Sequence, residues 1–344
     1  MVECLYYDPG KRLSSYPAIG EAAFGRAGRV FVQFFHYTIV LGVSTLYIML
    51  AGINIEMIVS GAGGSLKLSA CVLIAGLLIL IPYAVARSMK ETALLSLFGV
   101  ATTFATVVIA CAIGLIDSRE ETPHSVVVWS GVPVSLATIG FSFGGNVIYT
   151  HVEAAMRRPK DWPKVLAGAL TLVSGMYMSM GCIGYYAYGD LVQSPIMRSL
   201  PPGIPNLVAS TSITLHLIVA APLLLLSFSI EVEGTLGITS KLSPPVESGV
   251  RYLFRLVLIG TLTSIAVFLP HFGAFMSLLG AISSLVIIYL TPVVCHLKLF
   301  GFTNRSWKTY VSMATCILLG VLGGVLGAIS AIQELAAAFS RPEF

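Results

Sequence analysis

The stretch Gly140-Phe-Ser-Phe-Gly-Gly-Asn146 combines residue types and spacing that could do chemistry. It lies in the middle of an apolar run, where three glycines crowd into six positions beside Ser142 and Asn146. Each glycine costs a helix interior about 1 kcal/mol relative to alanine. A helix broken at membrane depth leaves N–H and C=O groups that hydrocarbon cannot satisfy, so protein, water or a polar solute must do so. The two half-helix ends add their dipoles. The implied chemistry is non-covalent capture of a small zwitterion. Phe141 and Ser142 would shape a pocket, and the backbone at Gly144, Gly145 and Asn146 would hold the charged ends. The plainer alternative is a glycine-lined contact between helices.

Other polar residues stand inside apolar runs. His216, with Thr214 half a turn before it, is an intramembrane ionisable group and so a candidate for coupling to a proton or sodium ion. Its alternative is a neutral histidine bonded to a neighbouring helix, with the hydroxyls back-bonding their own turn. Glu153 is a further coupling candidate, or the partner of Arg157 in an i,i+4 ion pair. Tyr47 and Asn54 share the first apolar run and are candidate solute contacts, while Glu56 near its end would snorkel. No Gly-x-Ser-x-Gly elbow, P-loop or His-Glu-x-x-His is present, and His151-x-Glu153 points its two side chains to different faces of a helix. The chain reads as a non-enzyme with no cofactor and no metal site.

The elements that must carry these residues follow from composition. Of 344 residues, 56% are hydrophobic and only 10% charged, against about 25% charged in a soluble domain. Most of the surface must therefore face lipid, and a net charge of +4 is too slight to suggest nucleic acid. A crossing helix needs about 20 apolar residues. Nine such runs occur: Val30 to Val59, Leu66 to Ala86, Thr92 to Ile116, Pro133 to Ala155, Pro163 to Tyr188, Leu207 to Ile230, Tyr252 to Leu269, Phe272 to Leu297 and Trp307 to Gln333. With residues 1–29 as a cytoplasmic segment, the 20 Lys and Arg divide 16 inside to 4 outside, which places the C-terminus outside or in a lumen. The sequon Asn304-Arg305-Ser306 then faces the cytoplasm and should carry no glycan. The six cysteines lack any C-x-x-C spacing and read as packing residues. Gly320 with Gly324, and Gly323 with Gly327, suit close helix packing, and Pro82, Pro222 and Pro292 should kink their spans. No linker divides the chain, so residues 1–344 read as one membrane domain.

The run from Gly140 through Tyr-Thr-His-Val-Glu-Ala-Ala-Met-Arg-Arg-Pro-Lys-Asp-Trp-Pro-Lys to Val165 resembles the sixth helix and following loop of the amino acid/auxin permease family, its fungal members above all. Ser15-Tyr-Pro-Ala-Ile-Gly-Glu-Ala-Ala-Phe-Gly25 is similar to the family's loop before helix three, and Gly280-Ala-Ile-Ser-Ser284 with Thr291-Pro292 to its tenth helix. The resemblance implies an all-α, leucine-transporter-type bundle that moves amino acids with protons or sodium. The nine spans would correspond to family helices three to eleven, leaving the first two without a counterpart. The family often has His and Pro where this chain has Asn146 and Thr150, so coupling through that histidine is unavailable.

Together these readings predict secondary transport of neutral amino acids by alternating access around Gly144–Asn146, in a vacuolar or plasma membrane. The rival class is a non-transporting protein, either an amino-acid sensor or a fragment that associates with another membrane chain. Oligomeric state is not legible from the sequence.

Overall fold

A computed structural model describes residues 2–8, 10, 12–86, 93–117, 122–238, 244–269, 271–302 and 306–340. Among these residues, nine helical stretches are long and apolar enough to cross a bilayer. They match the nine expected spans, with ends shifted by up to two helical turns (the seventh begins at Pro245) except at the first, which begins at Tyr16. The sequon at Asn304 lies outside the described residues.

In chain order the helices are α1 (Val2–Leu5), α2 (Tyr16–Gly61), α3 (Leu68–Val85), α4 (Ala93–Ile116), α5 (Val132–Ser142), α6 (Tyr149–Ala155), α7 (Trp162–Tyr188) and α8 (Ile204–Leu236). They continue with α9 (Pro244–Phe268), α10 (Phe272–Leu279), a π-helix (Gly280–Leu290), α11 (Thr291–Phe300) and α12 (Trp307–Ser340). Two compact units result: residues 1–43, 128–154 and 273–344 form the first, and residues 44–127 and 155–272 the second.

In the first unit, the early start of α2 has a local cause. Pro17 occupies a first-turn position that needs no N–H donor, and Ala18, Ala22 and Ala23 favour helix. Tyr16, Ile19, Gly20 and Ala23 form its buried face, packed with Cys4, Leu5 and Cys295. Gly25 then takes φ 67°, ψ −157°, breaking the helix into two legs. The legs touch: a Cβ on Gly20 would lie 2.6 Å from the Gly28 carbonyl oxygen. Further on, α12 seats its glycines in two pairs. Gly320 and Gly324 meet Tyr289 and Leu285 of the π-helix, while Gly323 and Gly327 meet Leu136 and Ala137 of α5.

In the second unit α8 packs on α3 and α4, with α9 on α3 and α7 on α4. Close approach again uses glycine, since a Cβ on Gly76 would fall 2.3 Å from the Thr263 hydroxyl. The C-terminal carbonyls of α3 have no intrahelical partner. Buried Arg255 supplies one, donating to the Tyr83 oxygen at 2.8 Å and the Ala86 oxygen at 2.6 Å. Glu233 balances its charge at 3.4 Å and also pairs with Arg251 at 3.2 Å. The cysteines are all free thiols, Cys4, Cys71 and Cys295 being buried.

Candidate functional site

The fourth span is interrupted at its glycines. Helix α5 stops at Ser142, Phe143 turns through φ −95°, ψ 14°, and Gly144–Ile148 continue as a 3-10 helix before α6 resumes at Tyr149. The break takes a form that the sequence reading did not anticipate. The chain tightens rather than unwinds, and i→i+3 bonds such as Tyr149 N–H to the Asn146 carbonyl keep part of the backbone paired. The expectation of wholly bare peptide groups is corrected accordingly.

Phe141 is half-buried and rests where α5 meets the π-helix. A Cβ on Gly280 would stand 2.8 Å from the Ala137 carbonyl and 3.0 Å from the Phe141 Cβ. Ser142 is exposed, and its hydroxyl donates back to the Thr138 carbonyl at 2.9 Å. Gly144 faces Ile288, whereas a Cβ on Gly145 would meet only the Tyr149 ring, at 3.5 Å. Asn146 donates its amide Nδ2 to the Ile287 carbonyl at 3.2 Å. Its Oδ1 is buried and has no hydrogen-bond partner among the described residues, and the same holds for Ser283 Oγ and Thr150 Oγ1. Such orphaned acceptors and hydroxyls suit water or a polar solute.

The Ile287 carbonyl is available for a definite reason. In a π-helix each carbonyl accepts from the N–H five residues on. The Thr291 N–H accordingly serves Val286, and the residue that should serve Ile287 is Pro292, which has no N–H. Asn146 and the Tyr16 hydroxyl take the vacated acceptor. His36 completes this set. It is fully buried, its ring is stacked on Tyr16 at 5.7 Å with a 10° interplanar angle, and its Nε2 lies 2.9 Å from the Val147 carbonyl. The 3-10 segment of the fourth span and the π-helix are thus both held by side chains from α2.

Glu153, one turn into α6, is fully buried and ion-paired with Arg12 of the N-terminal segment. The Arg12 Nε donates to it at 3.0 Å, and Nη2 donates to both Glu153 and the Thr150 carbonyl, the latter at 2.8 Å. The Tyr6 hydroxyl also donates to Glu153, and this bond raises its pKa above the ordinary tyrosine value. The expected i,i+4 partner Arg157 is not the one found. Helix α6 ends at Ala155, so residues 153 and 157 do not share a continuous helix with i,i+4 spacing.

The remaining candidates belong to the second unit. Asn54 is fully buried in α2 with neither amide atom hydrogen-bonded among the described residues, and Tyr47 is half-buried seven residues earlier. Thr214 back-bonds to the Ser210 carbonyl at 2.6 Å. His216 Nδ1 lies 2.9 Å from the Gly99 carbonyl on α4, the neighbouring-helix arrangement. Glu56 meets Arg198 at 3.7 Å.

The sequence reading passed over His36, Tyr16, Arg12 and Tyr6. The rule that selected His216, an ionisable group within an apolar run, applies equally to His36. Tyr16 and Arg12 carry no such signal, because their partners are 271 and 141 residues away.

Residues 1–333 match the family described as transmembrane amino acid transporter protein. Among curated relatives, amino acid transporter AVT1I of Arabidopsis thaliana is 26% identical over 97% of this chain and 83% of its own length. AVT1E and AVT1C of the same plant are 24% and 27% identical over 96% and 95% of this chain. The chain spans only 64% and 60% of the length of those two relatives. From the family match over nearly its whole length, together with nine apolar helices among the described residues, the chain is a multi-pass membrane protein that belongs to the transmembrane amino acid transporter family.

Proposed function

We propose that the protein carries neutral amino acids across a membrane by secondary active transport, with alternating access around the interrupted fourth span. The observation that carries this reading is the break at Phe143–Ile148 with the buried, unpartnered Asn146 Oδ1 beside it. Polar atoms and half-helix ends at membrane depth are what a zwitterion needs. No charged side chain occurs from Phe141 through Thr150, so a charged substrate side chain would find no counter-ion there. That favours a neutral one. Phe141 and Ser142 would line the pocket, and Gly144, Gly145 and Asn146 would hold the amino or carboxylate group. In the second unit, Asn54 offers a polar contact of its own, with Tyr47 on the same helix face.

Energy would come from a proton or sodium gradient. Thr214, His216 and Glu153, the coupling candidates, each already hold a protein partner. The N-terminus is assigned to the cytoplasm and the membrane to vacuole or cell surface. The test is uptake of labelled neutral amino acids into proteoliposomes, with and without each gradient. Gradient-stimulated uptake is expected; a folded preparation that shows none refutes the reading. Gly145→Leu should abolish uptake without affecting expression.

A further inference from the structure

We propose that Tyr16 is a positioning residue of the transport site: its bond to the Ile287 carbonyl holds the eighth span in its π register, and that register keeps Asn146 aimed at the solute. This rests on the transport reading above. Tyr16 is fully buried and its hydroxyl donates to the Ile287 carbonyl, to which the Asn146 amide also donates, at 3.2 Å. The Tyr16 ring is stacked on His36. Two donors fill the two lone pairs of one carbonyl oxygen. The end of an amide that meets a carbonyl must be its NH2. Asn146 Oδ1, buried and without a hydrogen-bond partner among the described residues, is thereby turned the other way as an acceptor for the solute.

Two backbone registers compete for the same oxygen. In the π register its partner would be residue 292, a proline, so the oxygen is left to side chains. In an α register its partner would be the Thr291 N–H, which here serves Val286. With Tyr16 and Asn146 both in place, that N–H would be a third donor for two lone pairs. Removing the Tyr16 hydroxyl opens a place for it and takes one bond from the π form. A change of register also turns the helix about its axis, because an α turn holds about 3.6 residues and a π turn more. The Ile287 oxygen then leaves the Asn146 amide, and Asn146 is no longer fixed as an acceptor. Tyr16 therefore acts on the solute through Asn146, without touching it.

The test uses the full chain in proteoliposomes and nanodiscs, as wild type, Tyr16→Phe, Asn146→Ala, their double variant and Pro292→Ala. Tyr16→Phe keeps the ring and should raise KM for neutral amino acid uptake about fivefold, the worth of one hydrogen bond, with Vmax per folded protein unchanged. Added to Asn146→Ala it should raise KM no further, since it acts through that residue. Pro292→Ala offers the oxygen a backbone N–H in either register and should raise KM with Tyr16 intact; it carries the test if Tyr16→Phe fails to fold. A second readout needs no transport. Ile287–Ile288 is the only Ile–Ile pair in the sequence, so isoleucine labelled with carbonyl 13C and with 15N gives one bonded 13C–15N pair. Its carbonyl shift reports the bonds to the Ile287 oxygen and should move in Tyr16→Phe and in Asn146→Ala. An unmoved shift overturns the proposal, as do additive changes in KM or a Tyr16→Phe variant that loses Vmax at unchanged KM. A shift moved by both variants, with no uptake in any preparation, would refute the transport reading and leave the hold of Tyr16 on Ile287 standing.

Discussion

Breaking the Arg12–Glu153 pair should have consequences whose order follows from burial. Glu153 is 1% exposed at its side chain and Arg12 is 27% exposed, so the acid is the member that water cannot rescue. Arg12→Ala leaves a buried carboxylate without its counter-ion and strips the Thr150 carbonyl of a donor. Removing one partner of a fully buried pair costs about 3–5 kcal/mol. Water entering where Arg12 is exposed lowers this to about 2–3 kcal/mol. Glu153→Gln keeps an acceptor oxygen for Arg12 and turns its amide NH2 towards Tyr6, whose hydroxyl must then accept instead of donate; with the charge assistance lost, the cost is about 1 kcal/mol. In the double variant no charge is left buried, and the loss should be about 2 kcal/mol. The singles therefore sum to more than the double, with a coupling of about 1–2 kcal/mol. Equilibrium unfolding in mixed micelles titrated with SDS measures each value. Strict additivity, or Glu153→Gln as the most harmful change, would show that the pair is not a buried charge pair and would refute the reasoning.

Three further outcomes are expected. Pro292→Ala supplies an N–H in the π register for the Ile287 carbonyl, so Tyr16→Phe, which should cost about 1 kcal/mol alone, should cost less in that background; an undiminished loss by the same unfolding assay would contradict the vacated-acceptor account. Gly280→Ala drives a Cβ against backbone oxygen at 2.8 Å and should lower stability by about 1–3 kcal/mol, while Gly145→Ala, which meets only a ring at 3.5 Å, should leave the melting temperature nearly unchanged. The Tyr6 hydroxyl, raised chiefly by its bond to Glu153, contributes stability that is complete below the ordinary tyrosine pKa and is lost as pH climbs through the raised value. An alkaline unfolding titration of Tyr6→Phe should lack that step.

The nine spans were legible because lipid imposes a length and a composition on any crossing helix, and both are written residue by residue. The interruption of the fourth span was legible for a related reason: Gly140, Gly144 and Gly145 lower helix propensity wherever they stand. Its form was not. Whether a weakened helix opens or tightens depends on what its neighbours offer, and here His36 and the π-helix hold it. Glu153 shows the same division. Its place in an apolar run marked it, but local spacing proposed Arg157, and the end of α6 at Ala155 made a partner from the N-terminal segment the available one.

Sequence alone therefore determined the solvent, the apolar spans seen among the described residues, the family and the position of the weak point, all of which depend on local composition or on residues near one another in the chain. Tertiary structure alone decided who holds that weak point. Pro292 leaves an acceptor empty five residues upstream, and Tyr16 fills it from 271 residues away. A hydrogen bond is short-ranged in space and indifferent to distance along the chain, so only the folded molecule brings its two halves together.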